Sequence, residues 1–537
     1  MRRPVGLALA AIPIAFLGYF FVYPMVTVMV TALTGKAGDG GSPMLTALQR
    51  PSLVGIVWFT LWQAVASTAL TLAIGLPAAY VFARYQFPGR RTLLAATVVP
   101  FVLPTVVTGT AFLALLGPGG PLGIDLRRTV PAILIAHVFA NYAVVVRTVG
   151  TAWEQLDRRV EEAAQTLGAS RWATLSRITL PLLAPAIASA ASIVFLFTFT
   201  SFGIILILGG IGLATLEVEI WRQATALLDL GVAAALAVIQ LVGVTVALAL
   251  YGRTQRRRAT QLATAPADQR TRPRGRAWWV VGANLAVLAT LIGLPVGMLV
   301  ARSLRTDGGY GVTNFTGLAT RATDSGLFVA PVEAIGNSLR FAILATVIAV
   351  VIGIIAAVVV ASRTGGGQGL DTLVMLPLGT SAVTLGFGFL MALDTPVDLR
   401  TSPWLIPIAH ALVAIPFVVR TALPVLRRIQ QRLREAAATL GASPRRVFFE
   451  VDGPLIGRAV AVGAGFAFAV SLGEFGATSF IARPDTPTLP IAIFRLLARP
   501  GAVLFGRAMA LAVILMVLTT IAALAIERLR PGGGGDF

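Results

Sequence analysis

The amino-acid sequence predicts an all-α, polytopic membrane protein with about 12 transmembrane helices in two homologous, parallel halves. Its 537 residues are 56% hydrophobic and only 12% charged, with a mean hydropathy of +0.84. This is far more apolar than an ordinary globular domain. Long apolar stretches follow one another along the chain, and a pattern in the first half recurs 273 residues later.

Twelve apolar stretches are long enough to cross a bilayer, since a spanning helix takes roughly 20 residues. The first begins after Met1, Arg2 and Arg3 and is too long for the apolar core of a signal peptide. Six predicted spans lie near residues 5–33, 53–83, 93–116, 130–152, 180–208 and 228–251. Six more lie near 277–301, 334–361, 372–393, 403–424, 455–481 and 505–527.

A basic, Pro-containing segment divides the chain. Residues 1–250 form the first six-span half, residues 251–276 the linker and residues 277–537 the second six-span half. Two interpretations of the linker remain open at this point: it binds lipid or a partner, or it is a solvated tether between the halves.

The formal net charge of +20 would suggest a nucleic-acid partner in a soluble protein. Here arginines cluster in alternate loops between apolar spans, as in cytoplasmic loops, and anionic membrane lipid explains the charge without nucleic acid. We therefore expect a multi-pass membrane protein with both termini in the cytoplasm. The absence of cysteine excludes disulfides, cysteine-ligated iron–sulfur clusters and thiol catalysis.

The two halves share a loop. Residues 161–181 read EEAAQTLGASRWATLSRITLP, and residues 434–454 read REAAATLGASPRRVFFEVDGP. An even number of predicted spans separates the copies, so the halves have the same orientation and are related by an axis along the membrane normal. We expect a pseudo-dimer with a central path. At the constant offset of 273, the matched residues are Glu162 and Glu435, Ala163 and Ala436, Ala164 and Ala437, and Gly168 and Gly441.

Each copy is predicted to form an amphipathic helix, a tight turn and a second short helix. From Leu156 onward, apolar residues recur at helical spacing with charged residues on other faces. Gly168 and Gly441 are placed to end the first helices through a left-handed cap, while Ser170 and Ser443 can cap the next ones. The small alanines allow another surface to approach closely.

The pattern Glu-Ala-Ala, three residues, Gly, nine residues, Ile-x-Leu-Pro is matched by Glu162-Ala163-Ala164, Gly168 and Ile178-Thr179-Leu180-Pro181. It resembles the EAA loop of type I ABC importer permeases. The loops then extend over about residues 153–181 and 426–454, although the second departs from the pattern at Val451-Asp452-Gly453-Pro454. Two permease-like halves in one chain are similar to the fused permeases of thiamine and ferric-iron importers.

This resemblance implies that each loop docks in a cleft of an ATP-hydrolysing subunit and couples its closure to the membrane gate. The implied partners are two copies of an ABC ATPase subunit, an extracytoplasmic solute-binding protein and membrane lipid. Thiamine and ferric iron are the favoured substrates, while an organophosphonate or an oxyanion stays open.

A phosphate-binding P-loop needs Gly-Lys followed by Ser or Thr. The sole lysine, Lys36, is followed by Ala37. We therefore expect a transport subunit that is not itself an enzyme and binds no cofactor, with ATP and Mg bound by the partner subunits.

Five polar residues in or beside the spans are candidate pathway residues. The only histidines, His137 and His410, occupy equivalent positions, as do Ser201 and Glu474, while Glu217 follows the fifth predicted span. Polar groups inside a membrane usually face protein or water. Each also has a structural interpretation: packed histidines, a paired carboxylate at Glu474 and a solvated outer loop at Glu217. No metal site is expected, because no cluster of Cys, Asp or Glu accompanies the histidines.

Two other functions compete with the importer. A secondary transporter driven by an ion gradient could also have two parallel six-span halves. A membrane-embedded enzyme would need a convergent set of catalytic residues, which two distant histidines do not supply.

Overall fold

The computed structural model describes residues 3–36, 40–121, 123, 125–210, 212–258, 270–306, 308–321, 325–362, 367–395, 397–428, 437, 439–447, 450 and 453–529. Within these residues, ten helices are long and apolar enough to cross a membrane. Two further pairs of helices pass the same test together but bend by 102° each. The predicted all-α membrane fold with about 12 spans is confirmed.

Counting each bent pair as one, the spans are numbered 1 to 12 in chain order. Spans 1 to 6 are Ala8–Thr34, Pro51–Arg84, Arg90–Val102 with Thr105–Leu116, Val130–Glu154, Arg171–Phe199 and Leu230–Leu250. Spans 7 to 12 are Ala277–Leu304, Glu333–Ala361, Gly369–Gly379 with Ala382–Ala392, Leu405–Arg427, Ile456–Gly473 and Ala502–Leu529.

Shorter elements connect the spans. A two-stranded antiparallel hairpin pairs Arg305–Thr306 with Gly309–Tyr310. The short helices outside the spans are Pro43–Gln49, Arg158–Thr166, Gly203–Leu208, Leu216–Thr225, Thr313–Thr316, Pro444–Val447, Thr478–Ile481 and Leu489–Leu497.

The sequence shows spans 3 and 9 as single apolar stretches, and the structure bends each of them by 102°. In span 3 the bend falls at Leu103 and Pro104, whose ψ angles of 133° and 142° are extended. A residue before proline is disfavoured in the helical region, so the chain leaves the helix there. In span 9, Ser381 Oγ accepts hydrogen bonds from the N–H groups of Val383 at 3.0 Å and Thr384 at 3.4 Å. This serine cap starts a new helix in a new direction.

Spans 5 and 11 are also interrupted, although the sequence predicts continuous helices to residues 208 and 481. The helix of span 5 ends at Phe199, and the chain becomes helical again at Gly203. The helix of span 11 ends at Gly473, and a short helix begins at Thr478. Both interruptions occur at matched positions of the repeat. At span 11, a polar side chain described below accepts hydrogen bonds from backbone N–H groups that the helix has freed.

Packing divides the chain into two compact units. The first unit comprises Glu219–Val238 and the described residues of Met1–Leu48 and Ser303–Gly533, and the second comprises Gln49–Val218 and Ile239–Arg302. Span 1 therefore packs with the second-half spans, where Leu17 and Phe21 join the same core as Phe389 and Ile415. Span 7 packs with the first-half spans in the same manner. The units and the sequence repeat thus divide the chain differently.

Glycines let span 2 approach span 4 and span 8 approach span 10. A Cβ atom added at Gly75 would lie 2.8 Å from Val145 Cβ, and one at Gly353 would lie 2.9 Å from Val418 Cβ. Such distances are shorter than carbon atoms tolerate, so only glycine allows this close packing. Val145 and Val418 are repeat equivalents, which shows that the same contact occurs in both units.

We expect Gly75→Val and Gly353→Val each to destabilise the protein by about 1–3 kcal/mol, because overpacking of a tight contact forces the helices apart. The measurement is the midpoint of thermal unfolding in detergent. Gly55→Val in span 2 and Gly336→Val in span 8 are matched controls, since an added Cβ meets nothing within 4 Å there. Equal losses in all four variants would show that the close approach is not what these glycines provide.

Candidate functional site

The first repeated loop forms the predicted helix, turn and helix. Its first helix, Arg158–Thr166, starts where Asp157 Oδ1 accepts a hydrogen bond from Arg159 N at 3.0 Å. Gly168 has a φ of +89°, which a glycine adopts without steric cost. Ser170 Oγ then accepts a hydrogen bond from Ala173 N at 3.2 Å. The glycine and serine caps predicted from the sequence are confirmed.

Glu161 ties this loop to the spans. Its carboxylate lies 2.7 Å from the Arg84 guanidinium at the end of span 2 and accepts a 2.8 Å hydrogen bond from Thr179 Oγ1 in span 5. The Arg84 side chain is only 8% exposed. A charge pair with so little water around it is costly to break on one side. Glu161 therefore connects the loop directly to two spans.

The repeat points to the neighbouring Glu162 and not to Glu161. Glu162 is 63% exposed at its side chain and lies 3.7 Å from Arg158 one turn earlier in the same helix. Ala163 is exposed as well, while Ala164 is half-buried. The repeat gives no hint of Glu161, because its equivalent in the second half is Arg434.

An apolar tip distinguishes the loop from ordinary solvated loops. Leu167, immediately before Gly168, is 88% exposed, and Trp172 is 73% exposed. Two large apolar side chains so close together in the chain, beside charged residues, form an apolar surface that another protein could contact. The loop therefore has one anchored face and one free face.

The second loop repeats the turn where the structure describes it. Gly441 has a φ of +81°, and Ala442 N donates a 3.0 Å hydrogen bond to Ala437 O. The equivalent bond in the first loop joins Ala169 N to Ala164 O, also at 3.0 Å. Leu440 is 88% exposed, like its equivalent Leu167. Glu435, Ala436 and Asp452, which the sequence analysis singled out, lie outside the described residues.

His137 links three parts of the second compact unit. Its Nδ1 lies 2.9 Å from Ser67 Oγ in span 2, and its Nε2 lies 2.9 Å from Ser201 Oγ in the interruption after span 5. All three side chains are buried. A buried polar group must find a partner to offset its lost hydration. His137 thus holds the interruption against spans 2 and 4.

His410 plays the equivalent part in the first compact unit with different partners. Its Nδ1 lies 2.7 Å from Ser471 Oγ, and its Nε2 lies 2.8 Å from Thr478 Oγ1 and 3.2 Å from the Glu474 carboxylate. Glu474 also accepts hydrogen bonds from Ala477 N at 2.8 Å and Thr478 N at 3.0 Å. The carboxylate therefore caps the short helix that follows the interruption.

The structure brings Ser201 and Glu474, which are repeat equivalents, into equivalent places beside a histidine. Serine supplies one hydrogen bond to the histidine, whereas glutamate reaches the histidine, two backbone N–H groups and the Thr478 hydroxyl. The repeat is thus symmetric in backbone and asymmetric in charge.

A second pair of contacts recurs in both units. Thr60 Oγ1 accepts a 2.9 Å hydrogen bond from Leu216 N, and Ser338 Oγ accepts a 2.7 Å hydrogen bond from Leu489 N. Leu216 and Leu489 begin equivalent short helices. The repeat does not reveal these two caps, because Thr60 and Ser338 are not separated by the offset of 273 residues.

The sequence analysis favours a solvated loop at Glu217, and the structure contradicts this. Glu217 lies in the helix Leu216–Thr225, is 1% exposed and pairs with Gln240 Nε2 in span 6. Glu219, in the same helix, is equally buried and lies 2.9 Å from Arg222 and 2.7 Å from Gln223. Polar partners from the helix itself and from span 6 compensate the burial, and periodicity in so short a helix does not reveal them.

An Asp-Leu-Arg motif that the sequence analysis missed lies at the opposite end of spans 4 and 10 from the loops. Arg127 Nη2 lies 2.8 Å from Asp125, and Arg400 Nη2 lies 3.1 Å from Asp398, with matching backbone contacts. Hydrogen bonds from these guanidinium groups hold the pKa of each aspartate below its usual value. The two Asp-Leu-Arg motifs are 273 residues apart, so the repeat could have revealed them from the sequence.

We expect Glu161→Gln to lower the stability of the protein by about 1–3 kcal/mol, because it leaves the mostly buried Arg84 without its charged partner. The adjacent Glu162→Gln is the matched control and should change stability by less than about 0.5 kcal/mol, because exposed ion pairs contribute little. Thermal unfolding in detergent measures both. Equal effects of the two variants would refute the anchoring role of Glu161.

Comparison with known proteins places this geometry in context. The chain is 28% identical over 519 residues to the thiamine transport system permease protein ThiP of Brucella abortus (strain 2308), covering 93% of this chain and 91% of that protein. It is 27% identical to ThiP of Escherichia coli (strain K12), covering 89% of each chain. The sulfate transport system permease protein CysT of Escherichia coli (strain K12) is 34% identical over 170 residues, which are 30% of this chain and 61% of CysT.

Among solved structures, a bacterial ABC transporter involved in the import of the acidic polysaccharide alginate matches 48% of this chain and 97% of its own, with 18% identity and a TM-score of 0.41. The sequence profile of binding-protein-dependent transport system inner membrane components matches the chain twice, over residues 72–260 and 349–532. These two matches contain both repeated loops and both buried histidines, and the chain belongs to this family of ABC importer permeases.

Proposed function

We propose that the chain is the permease subunit of an ATP-driven importer and that its two repeated loops dock on separate ABC ATPase subunits. The observation that carries this proposal is the matched pair of exposed leucines, Leu167 and Leu440, each 88% exposed and each followed by a glycine with positive φ. A docking surface that recurs once per half fits two identical partners.

The anchoring of the first loop supports coupling as well as docking. Glu161 contacts Arg84 of span 2 and Thr179 of span 5. When ATP binding closes the ATPase subunits, the loop moves, and this contact pulls both spans with it. The spans then change access from the inner to the outer side, and hydrolysis resets them.

ATP and Mg belong to the partner subunits in this proposal, and the permease itself binds no cofactor. The chain lacks a Gly-Lys-Ser or Gly-Lys-Thr sequence, as Lys36 shows. In this proposal the loops and both termini lie on the cytoplasmic side, where the arginine-rich loops place them. The solute-binding protein docks at the opposite side.

The five candidate pathway residues enter the proposal as groups that hold the spans around the path. His137 and Ser201, with His410 and Glu474, fasten the two interrupted spans, and Glu217 fastens the following short helix. Such contacts are buried in the described conformation and can exchange partners when access alternates.

Docking is tested by substituting the exposed leucines. We expect Leu167→Gln with Leu440→Gln to reduce co-purification of the ATPase subunit at least about tenfold, because docked apolar side chains contribute about 1.5–3 kcal/mol each when buried. The variants should fold normally, since both side chains are free in the permease alone. Leu227→Gln, at another exposed leucine, is the control.

Undiminished co-purification of the ATPase with the double variant would refute the docking surface. Solute uptake that persists after ATP depletion would instead favour a secondary transporter over the importer.

We further propose thiamine as the substrate, because thiamine permeases match this chain over nearly its whole length at 27–28% identity. In cells without their own thiamine uptake system, the chain expressed with its ATPase and binding protein should restore uptake of labelled thiamine. Unlabelled thiamine should compete and ferric iron should not. Restored uptake of ferric iron alone would overturn thiamine as the substrate while leaving the importer proposal intact.

A further inference from the structure

A cavity of about 830 Å³ lies in the second compact unit, at the C-terminal end of span 2 and beside the first repeated loop. Tyr80 and Tyr85 form one wall, and Ala277 and Val280 of span 7 form another. The remaining polar lining is strongly basic. Four arginines face the cavity: Arg171, Arg272, Arg274 and Arg276.

The basic wall is built by the last residues of the linker. Thr271 pairs with the backbone at the C-terminal end of span 2. Its N–H donates a hydrogen bond to Arg84 O at 3.1 Å, and its carbonyl accepts one from Gln86 N at 3.0 Å. Pro273 is buried, whereas Arg272 and Arg274 on either side of it are exposed. This part of the linker is therefore docked on the protein, and it is not a solvated tether.

Nearby carboxylates do not neutralise these arginines. Glu154 lies 2.5 Å from Arg90 and 4.0 Å from Arg270, and Glu161 pairs with Arg84. Within the described residues, none of the four cavity arginines lies within ion-pair distance of a carboxylate. Four like charges around one cavity repel one another, so the arrangement favours an anion with several acceptor oxygens. Phosphate is the group that guanidinium forks bind best.

The surroundings point to a lipid as the source of that phosphate. Trp278 and Trp279, which follow Ala277 at the start of span 7, are 49% and 81% exposed. Exposed tryptophans at the first turn of a span are typical of the headgroup level of a membrane. Val280, in the wall of the cavity, is also exposed. A phosphate inside the cavity would thus sit beside apolar surface suited to acyl chains.

We propose that this cavity binds the phosphate headgroup of an anionic phospholipid. Arg272, Arg274 and Arg276 of the linker bind the phosphate on one side. Arg171, the first residue of span 5 after the glycine turn of the first loop, binds it on another. The bound lipid then joins the linker, span 2 and the loop. The inference goes beyond the transport function and does not depend on the substrate.

The test titrates the purified full-length chain in detergent with phosphatidylglycerol and counts bound lipids by native mass spectrometry. We expect Arg272→Gln with Arg274→Gln to weaken the tightest phosphatidylglycerol site about thirtyfold, because each arginine near an anionic membrane surface raises the affinity about fivefold. Phosphatidylcholine should not fill the site. These arginines are exposed, so the variant should unfold at the same temperature as the parent chain.

Arg91→Gln with Arg177→Gln is the matched control, because both arginines are exposed, belong to the same unit and do not line the cavity. Equal weakening in this control would mean general charge attraction and would overturn the site. Glycerol 3-phosphate tests the second source of a phosphate. If it displaces phosphatidylglycerol at equal concentration, the ligand is a soluble phosphate ester and the lipid assignment is wrong. Failure to displace it supports the lipid.

Discussion

The structure depends on one constraint: where an apolar span is interrupted, other groups must replace the backbone hydrogen bonds that the helix loses. Spans 9 and 11 show such groups at their interruptions. Ser381 caps the helix after the bend of span 9, and Glu474 caps the helix after the break of span 11. Thr60 and Ser338 cap equivalent short helices. These polar side chains allow spans to turn inside apolar segments without leaving backbone groups unpaired.

The same constraint explains why the repeat keeps its backbone and varies its side chains. The first unit needs a partner for His410 and for two free N–H groups, and a carboxylate supplies all of them. At the equivalent position, the second unit uses Ser201, which contacts His137 alone, while Ser67 of span 2 supplies the other hydrogen bond of that histidine. A buried carboxylate is costly unless several donors surround it, and only the first unit surrounds its glutamate in this way. The two halves therefore reach one geometry by different hydrogen-bond networks.

The sequence revealed the loops that recur in both halves and the apolar spans that extend over many residues. The spans follow from their length and composition, and the loop turns follow from Gly168 and Gly441, whose positive φ the sequence could anticipate. The 102° bends of spans 3 and 9 could not be predicted with equal ease, since hydrophobicity does not change where the helix turns. Contacts between distant segments were also hidden. Arg84 and Glu161 are both ordinary loop-end charges in the sequence, and only folding brings them together.

The first loop has a surface that the sequence predicts and a contact with the spans that only the structure shows. Its alanines and glycine define a recognisable surface, but that surface alone could move without affecting the spans. Glu161 prevents this, because its contacts with Arg84 and Thr179 are shielded from water and would be costly to lose during movement. Three residues after Gly168, Arg171 faces a cavity lined by the docked end of the linker. One carboxylate therefore joins the loop to span 2 and span 5, and in our proposal the phosphate held by the arginines joins the loop to the linker.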